Sequence, residues 1–117
     1  MKIVIAGCRD FCDYDAAKEF ILRCLEELDS RDITIISGGC SGADRLGERF
    51  AKEFNTGLEI YNAEWEKYGR AAGPIRNRKM AELCDMAICF WDGQSRGTAS
   101  MIRYAEGLGK IVKIKKI

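Results

Sequence analysis

The sequence predicts a doubly wound α/β fold, a parallel sheet of five strands in the order 3-2-1-4-5 with helices on both faces. Short, β-branched apolar runs recur along the 117 residues, each long enough for a buried strand and too short for a helix. Between them lie segments whose apolar residues repeat at three- and four-residue steps, the period of an amphipathic helix. Glycine-bearing turns follow the first, second and fourth runs directly, at Gly7, at Gly38 with Gly39, and at Gly93. Strands that alternate with helices need crossover connections, which are right-handed and give a parallel sheet covered on both sides.

Taken in order, residues 2–6 form a strand that stops at Gly7, and Gly7-Cys8-Arg9-Asp10 is the first βα loop. Asp13 or Asp15 caps a helix whose inward positions are Ala17, Phe20, Ile21, Cys24, Leu25 and Leu28. Residues 33–36 are the second strand. Residues 43–54 are the second helix, with Leu46, Phe50, Ala51 and Phe54 facing the core. A short third strand, 58–61, leads into an irregular flap over 62–73, and Pro74 then opens a third helix. Ile75, Met80, Leu83 and Cys84 make that helix's apolar stripe, with Arg76, Asn77 and Arg78 on its polar side. The fourth strand spans 86–91 and its loop spans 92–98. The last helix runs over 99–108, with Ile102, Ala105 and Leu108 inward and Gly109 closing it. Residues 111–114 form the last strand, where Lys113, Lys115 and Lys116 suit a solvated edge. With neither a linker nor an internal repeat in view, residues 1–117 read as one domain.

Nineteen basic side chains against eighteen acidic ones leave no net field, so the overall charge does not point to nucleic acid. The N-terminal apolar run is interrupted too early to be a secretory signal, and no run reaches membrane-spanning length, which predicts a cytoplasmic protein without a membrane partner. In that compartment the six cysteines are expected as thiols. Cys8, Cys12 and Cys40 each lie in a loop after a strand, where they can meet at one sheet edge, and a redox or metal role for them stays open. No paired short cysteine motif of a zinc site occurs, and no metal is expected. The absence of histidine removes Ser-His and Cys-His nucleophile pairs, so any acid or base must be a carboxylate, lysine, tyrosine or thiol.

The loops at the carboxyl edge carry the candidate site. Ser37-Gly38-Gly39-Cys40-Ser41-Gly42-Ala43-Asp44 leads straight into a helix, and its glycines admit positive φ and close approach of a ligand to the main chain. Free N–H groups at helix starts favour an anion, most often phosphate. The loop Asp92-Gly93-Gln94-Ser95-Arg96-Gly97-Thr98 offers the same at the same edge. The expected ligand-binding set is Gly7, Arg9, Ser37, Gly38, Gly39, Ser41, Gly42, Asp44, Arg76, Asn77, Gly93, Ser95, Arg96, Gly97 and Thr98. Arg70 and Arg78 also lie beside these loops. Trp65 and Trp91 are candidates to stack on a base. Neither the spaced glycines of a dinucleotide fingerprint nor a Walker pattern is present, which argues against ordinary NAD dehydrogenase or NTPase chemistry.

Gly-Cys-Arg-Asp after the first strand, Ser-Gly-Gly-Cys-Ser-Gly-Ala-Asp after the second, Ala63-Glu64-Trp65, Tyr68-Gly69, Ala72-Gly73-Pro74, Arg76-Asn77, Met80, Asp85 and Gly97-Thr98 together resemble the YspA-like branch of the SLOG superfamily. That superfamily also holds the Lonely Guy phosphoribohydrolases, DprA and molybdenum-cofactor carrier-like proteins. The resemblance implies a Rossmann-like fold and a nucleotide or nucleotide-derived ligand. Arg76 stands where the Lonely Guy enzymes have their arginine, but Ser100 occupies the place of their catalytic glutamate.

The leading expectation is therefore binding of a nucleotide or ADP-ribose-like small molecule, with phosphate held by residues 37–42 and 93–98 and clamped by Arg9 and Arg76. Two other readings stay open. One is an N-glycosidase or phosphoribohydrolase acting on nucleoside monophosphates or NAD-like substrates, with Asp10, Glu64 and Arg76 as catalytic candidates. The other is single-stranded nucleic-acid binding. No resident cofactor is assigned, and the helix over 76–84 or the one over 99–108 offers a face for a homodimer.

Overall fold

The computed structural model describes residues 1–28 and 32–117. Its sheet has five parallel strands in the order β3-β2-β1-β4-β5, as expected. The elements are β1 (Lys2–Gly7), α1 (Tyr14–Glu26), β2 (Thr34–Ser37), α2 (Ala43–Glu53), β3 (Gly57–Ile60), α3 (Trp65–Tyr68), α4 (Ala72–Leu83), β4 (Met86–Trp91), α5 (Arg96–Gly107) and β5 (Ile111–Lys116). β1 lies at the centre, with Ile3 opposite Ile35 of β2 and Ile5 opposite Ile88 of β4. Successive β1 side chains point to opposite faces, so both faces must be apolar. Ile3 and Ile5 pack with Ala17 and Ile21 of α1 and Phe50 and Ala51 of α2. Val4 and Ala6 pack on the other side with Met80 and Ala81 of α4 and Met101, Ile102 and Ala105 of α5. Two helices thus cover each face. Among the described residues no helix is long and apolar enough to cross a membrane.

Several local expectations are corrected. Residues 62–73 are not an irregular flap: the short helix α3 and a 3-10 turn over Gly69–Ala71 run directly into α4, which begins at Ala72. Pro74 sits in the first turn of α4, where an N–H has no helical partner to lose. The start of α5 at Arg96 moves Arg96, Gly97 and Thr98 from a loop into a helical first turn. Ser95 caps that turn, its hydroxyl accepting the Thr98 N–H at 3.4 Å. Of the two caps offered for α1, Asp13 is the one used, accepting from the Ala16 N–H at 3.1 Å.

Four residues read as core are exposed: Phe54, Ile75, Leu83 and Leu108. Phe54 and Leu108 are cap residues beyond the last helical turns, where the helix no longer aims the side chain at the sheet, and Phe54 stacks on Phe50 at 4.5 Å. In α4 the buried positions are Ala72, Gly73, Asn77, Met80 and Ala81, which leaves Ile75 and Leu83 on the outer side. In α4 the displacement has one cause. A polar residue, Asn77, occupies the inward face.

Candidate functional site

The carboxyl ends of β1 and β4 flank the point where the strand order reverses, the place where open α/β sheets bind ligands. A cavity of about 340 Å³ opens there. Its wall is built from Gly7 to Asp10 of the first loop, Cys40, Asp44, Arg76, Asn77 and Met80, and Asp92, Ser95, Gly97, Thr98 and Met101 around the start of α5. The sequence thus brings together Gly7, Arg9, Asp10, Asp44, Arg76, Asn77, Ser95, Gly97 and Thr98.

The residues that stay outside are as informative. Ser37 is fully buried, and its hydroxyl donates to Glu48 Oε2 at 2.7 Å and accepts the Gly39 N–H at 3.0 Å. It braces the turn from within. Ser41 donates to the Arg9 carbonyl at 3.2 Å, tying the second loop to the first. Of the glycines given positive φ by expectation, Gly39 and Gly42 adopt it and Gly38 does not. What Gly38 supplies is space: a Cβ there would lie 2.7 Å from Arg76 Nη1 and 2.8 Å from Asp44 Oδ2. Gly38, Gly39, Gly42, Gly93 and Arg96 are not among the residues lining the cavity. Of residues 37–42 in the glycine-rich turn, Cys40 is the one that lines the cavity. Its N–H is already taken by the Asp44 carboxylate at 3.1 Å, and the Ala43 N–H at the start of α2 by the Cys8 carbonyl at 3.2 Å.

The start of α5 lines the cavity through Gly97 and Thr98. The Thr98 N–H goes to Ser95 and the Ala99 N–H to the Ser95 carbonyl, while the N–H groups of Arg96 and Gly97 have no partner among the described residues. Gly97 carries no side chain, and the space beside it is open. The preceding turn is held by Asp92, whose Oδ1 accepts the N–H groups of Ser95 and Gln94, each at 2.8 Å. Those two donors, Ser95 first, pull the Asp92 carboxyl below its usual range.

Arg76 joins the second loop to α4. Its Nη1 donates to the Gly38 carbonyl at 2.6 Å and the Tyr61 carbonyl at 3.5 Å, and its Nε to Asn77 Oδ1 at 3.0 Å. Asn77 in turn donates to the Gly97 carbonyl at 3.2 Å, which couples α4 to the first turn of α5. The inward polar residue of α4 is thus engaged at both its oxygen and its nitrogen. Arg78 instead pairs with Glu82 on the surface, and Arg70 is exposed away from the cavity.

The remaining candidates separate. Glu64 lines a second hollow of about 150 Å³, with Tyr61, Asn62, Tyr68 and Lys79; Arg76 alone lines both. Trp65 is half exposed on α3, and Trp91 donates its indole N–H to the Ser95 carbonyl at 3.1 Å, so neither ring faces the main cavity. Ser100 is also absent from its lining. Cys8 and Cys40 reach the cavity, whereas Cys12 lies exposed outside it. Burial pushes the Cys8 thiol up, against the character of a reactive thiolate. Among the described residues no three His, Cys, Asp or Glu side chains group as a metal site.

Two buried carboxylates on α2, Asp44 and Glu48, sit one turn apart. Glu48, overlooked in the sequence, is paired at both oxygens, with Ser37 and with Arg45. Its signal was the four-residue step from Asp44 on a helix whose other faces are conventional. Asp44 is only 6% exposed, and burial pushes its carboxyl up to about 6, against the opposing pull of the Cys40 N–H and of Arg76 and Arg9. Glu48 adds to the upward push. A folded-state value above the unfolded one means that the folded chain holds this proton more tightly. Stability is therefore highest below about pH 4 for this group and falls as pH rises through 6, by roughly 3 kcal/mol. Asp44→Asn is accordingly expected to melt at a higher temperature than wild type at pH 7.5, with the difference closing near pH 4. Equal melting temperatures at both pH values would show that Asp44 carries no such strain.

The comparison with known families bears on this edge. The model of the YspA, cpYpsA-related SLOG family matches residues 1–68, which include the first loop, the glycine-rich turn and Asp44. The chain belongs to that family. Gene 61 protein of Mycobacterium phage D29 is 34% identical over 83 residues, an alignment that covers 66% of this chain and 66% of the relative. No solved structure matches. SLOG membership is consistent with nucleotide-related ligands in general. The matched segment of this SLOG chain ends at Tyr68, ahead of Arg76, Asn77 and the first turn of α5.

Proposed function

We propose that this SLOG protein binds a nucleotide or nucleotide-derived ligand, of the nucleoside-phosphate or ADP-ribose type, in the cavity between the first loop, α4 and α5. The observation that carries the reading is the first turn of α5: two N–H groups without partners, a glycine that opens the surface, and two arginines, Arg9 and Arg76, on the wall of the same cavity. A helix start of this kind attracts an anion, and an arginine fork adds charge-assisted contacts. The phosphate would lie at Gly97 on the cavity wall, while in the turn at residues 37–42 the Gly39 and Cys40 N–H groups already go to Ser37 and Asp44. The N-glycosidase reading retains Asp10 on the cavity wall and loses Glu64, which lines the other hollow.

Calorimetry at pH 7.5 with AMP, ADP, ADP-ribose and NAD tests the proposal. At least one of them is expected to bind and, at a hundredfold excess over its dissociation constant, to raise stability by about 2.7 kcal/mol. No binding by any of the four would overturn it.

A further inference from the structure

The wall of the cavity holds a second kind of polar group that a phosphate does not satisfy. Asp44 is almost wholly buried, yet its carboxylate receives one protein donor, the Cys40 N–H on Oδ2. No described residue donates to Oδ1. Among the described residues no fully buried side-chain oxygen or nitrogen lacks a partner, so Oδ1 retains some exposure, and Asp44 is part of the cavity wall. Neither arginine of the wall is ion-paired with it, although Asp44 Oδ2 and Arg76 Nη1 both border the space that a Cβ on Gly38 would occupy. Its neighbour Glu48 has a partner for each oxygen.

An oxygen without a protein donor on a carboxylate this confined is poorly solvated, and an ionised carboxylate can only accept. We propose that Asp44 selects the ligand, its Oδ1 accepting a hydrogen bond from a hydroxyl of a sugar phosphate or nucleotide whose phosphate lies at the start of α5. This rests on the reading above, that the cavity takes a nucleotide-type ligand. It adds a requirement. The ligand must bring acceptors at one end, for Arg9 and the α5 N–H groups, and a donor at the other, for Asp44. Inorganic phosphate and pyrophosphate carry no sugar hydroxyl that could reach Asp44 while a phosphate lies at the start of α5, and a P–OH turned toward Asp44 brings its own negative charge against the carboxylate; a ribose phosphate meets both ends.

Titration of the intact chain at pH 7.5 with ribose 5-phosphate and with inorganic phosphate, by calorimetry, tests the assignment. Ribose 5-phosphate is expected to bind about tenfold or more tightly than inorganic phosphate, the range of a hydrogen bond to a charged group. Asp44→Ala should reduce that preference to within about threefold while phosphate binding stays the same or strengthens, because a negative charge has been removed. Asp44→Asn keeps an oxygen for the Cys40 N–H, and an intermediate preference is expected, which guards against a folding defect in the alanine variant. Equal affinities in wild type, a preference that survives in both variants, or a parallel loss of both ligands in Asp44→Asn would overturn the assignment. If AMP or ADP-ribose binds but ribose 5-phosphate shows no preference over phosphate, this inference alone falls. If no nucleotide and no phosphate binds, the proposed function falls with it.

Discussion

Gly42→Ala is expected to melt about 10 °C below wild type, the largest stability loss of any single methyl addition at the site. Gly42 has φ +77 and ψ −131, a conformation that L side chains rarely adopt. An added Cβ would overlap the Cys8 carbonyl and lie 2.5 Å from the Arg9 carbonyl oxygen. Backbone atoms cannot swing aside as a side chain can, and the Ala43 N–H already fixes the Cys8 carbonyl at 3.2 Å. Conformational strain and displacement together cost about 3 kcal/mol, and a domain of this size loses on the order of 4 °C per kcal/mol. Gly93→Ala is the control. Gly93 also has positive φ, at +85, but nothing lies within 4 Å of its Cβ position, so strain alone operates, at about 1 kcal/mol. Thermal melts followed by circular dichroism measure both, and equal shifts would show that the contact between the two loops is not what Gly42 serves.

Arg76→Ala is expected to weaken nucleotide binding at least thirtyfold, the largest functional loss of any one substitution. The guanidinium holds the Gly38 and Tyr61 carbonyls and the Asn77 side chain while lining the cavity, so its removal takes a charge from the ligand and loosens the link from α4 to α5. A charge-assisted contact to phosphate is worth about 2 kcal/mol, which is roughly thirtyfold in affinity. Arg76 also lowers the Asp44 carboxyl, so Asp44 in the variant should titrate above the value of about 6 it has in the wild type. Arg76→Lys keeps the charge but not the fork that reaches Gly38 and Asn77 together, and only partial recovery is expected. Calorimetry with the tightest-binding nucleotide measures both variants. Wild-type affinity in Arg76→Ala would remove this residue from the site.

The fold was legible because its signals are local and redundant. Each strand is an apolar run ended by glycine or a polar turn, and one buried face per helix is enough to set the alternation. The errors fall where a few residues are read against neighbours they do not have. Arg96 to Thr98 looked like loop because Gly93, Ser95 and Gly97 are all turn formers, yet the Ser95 cap starts the helix before them. Residues 62–73 looked irregular because of Gly69, Gly73 and Pro74, each of which the first turn of a helix or a 3-10 turn accommodates.

The candidate site was legible in its membership more than in its assignments. Arg9, Asp44, Arg76, Asn77, Gly97 and Thr98 share one cavity, a consequence of strand order that the sequence already contained. What each one does depends on which donors and acceptors are already satisfied, and that is a property of contacts between residues far apart in the chain. Ser37 is consumed by Glu48, the Cys40 N–H by Asp44, and the Gly38 carbonyl by Arg76. The alternation of apolar runs by itself determined a parallel sheet, right-handed crossovers and a common edge for the βα loops, because burial and handedness require them. Only the tertiary structure decided that the Cys40 N–H of the glycine-rich turn goes to Asp44 while Gly97 of α5 stands on the cavity wall, because hydrogen-bond satisfaction is settled by geometry across the sheet edge and not by the spacing of residue types.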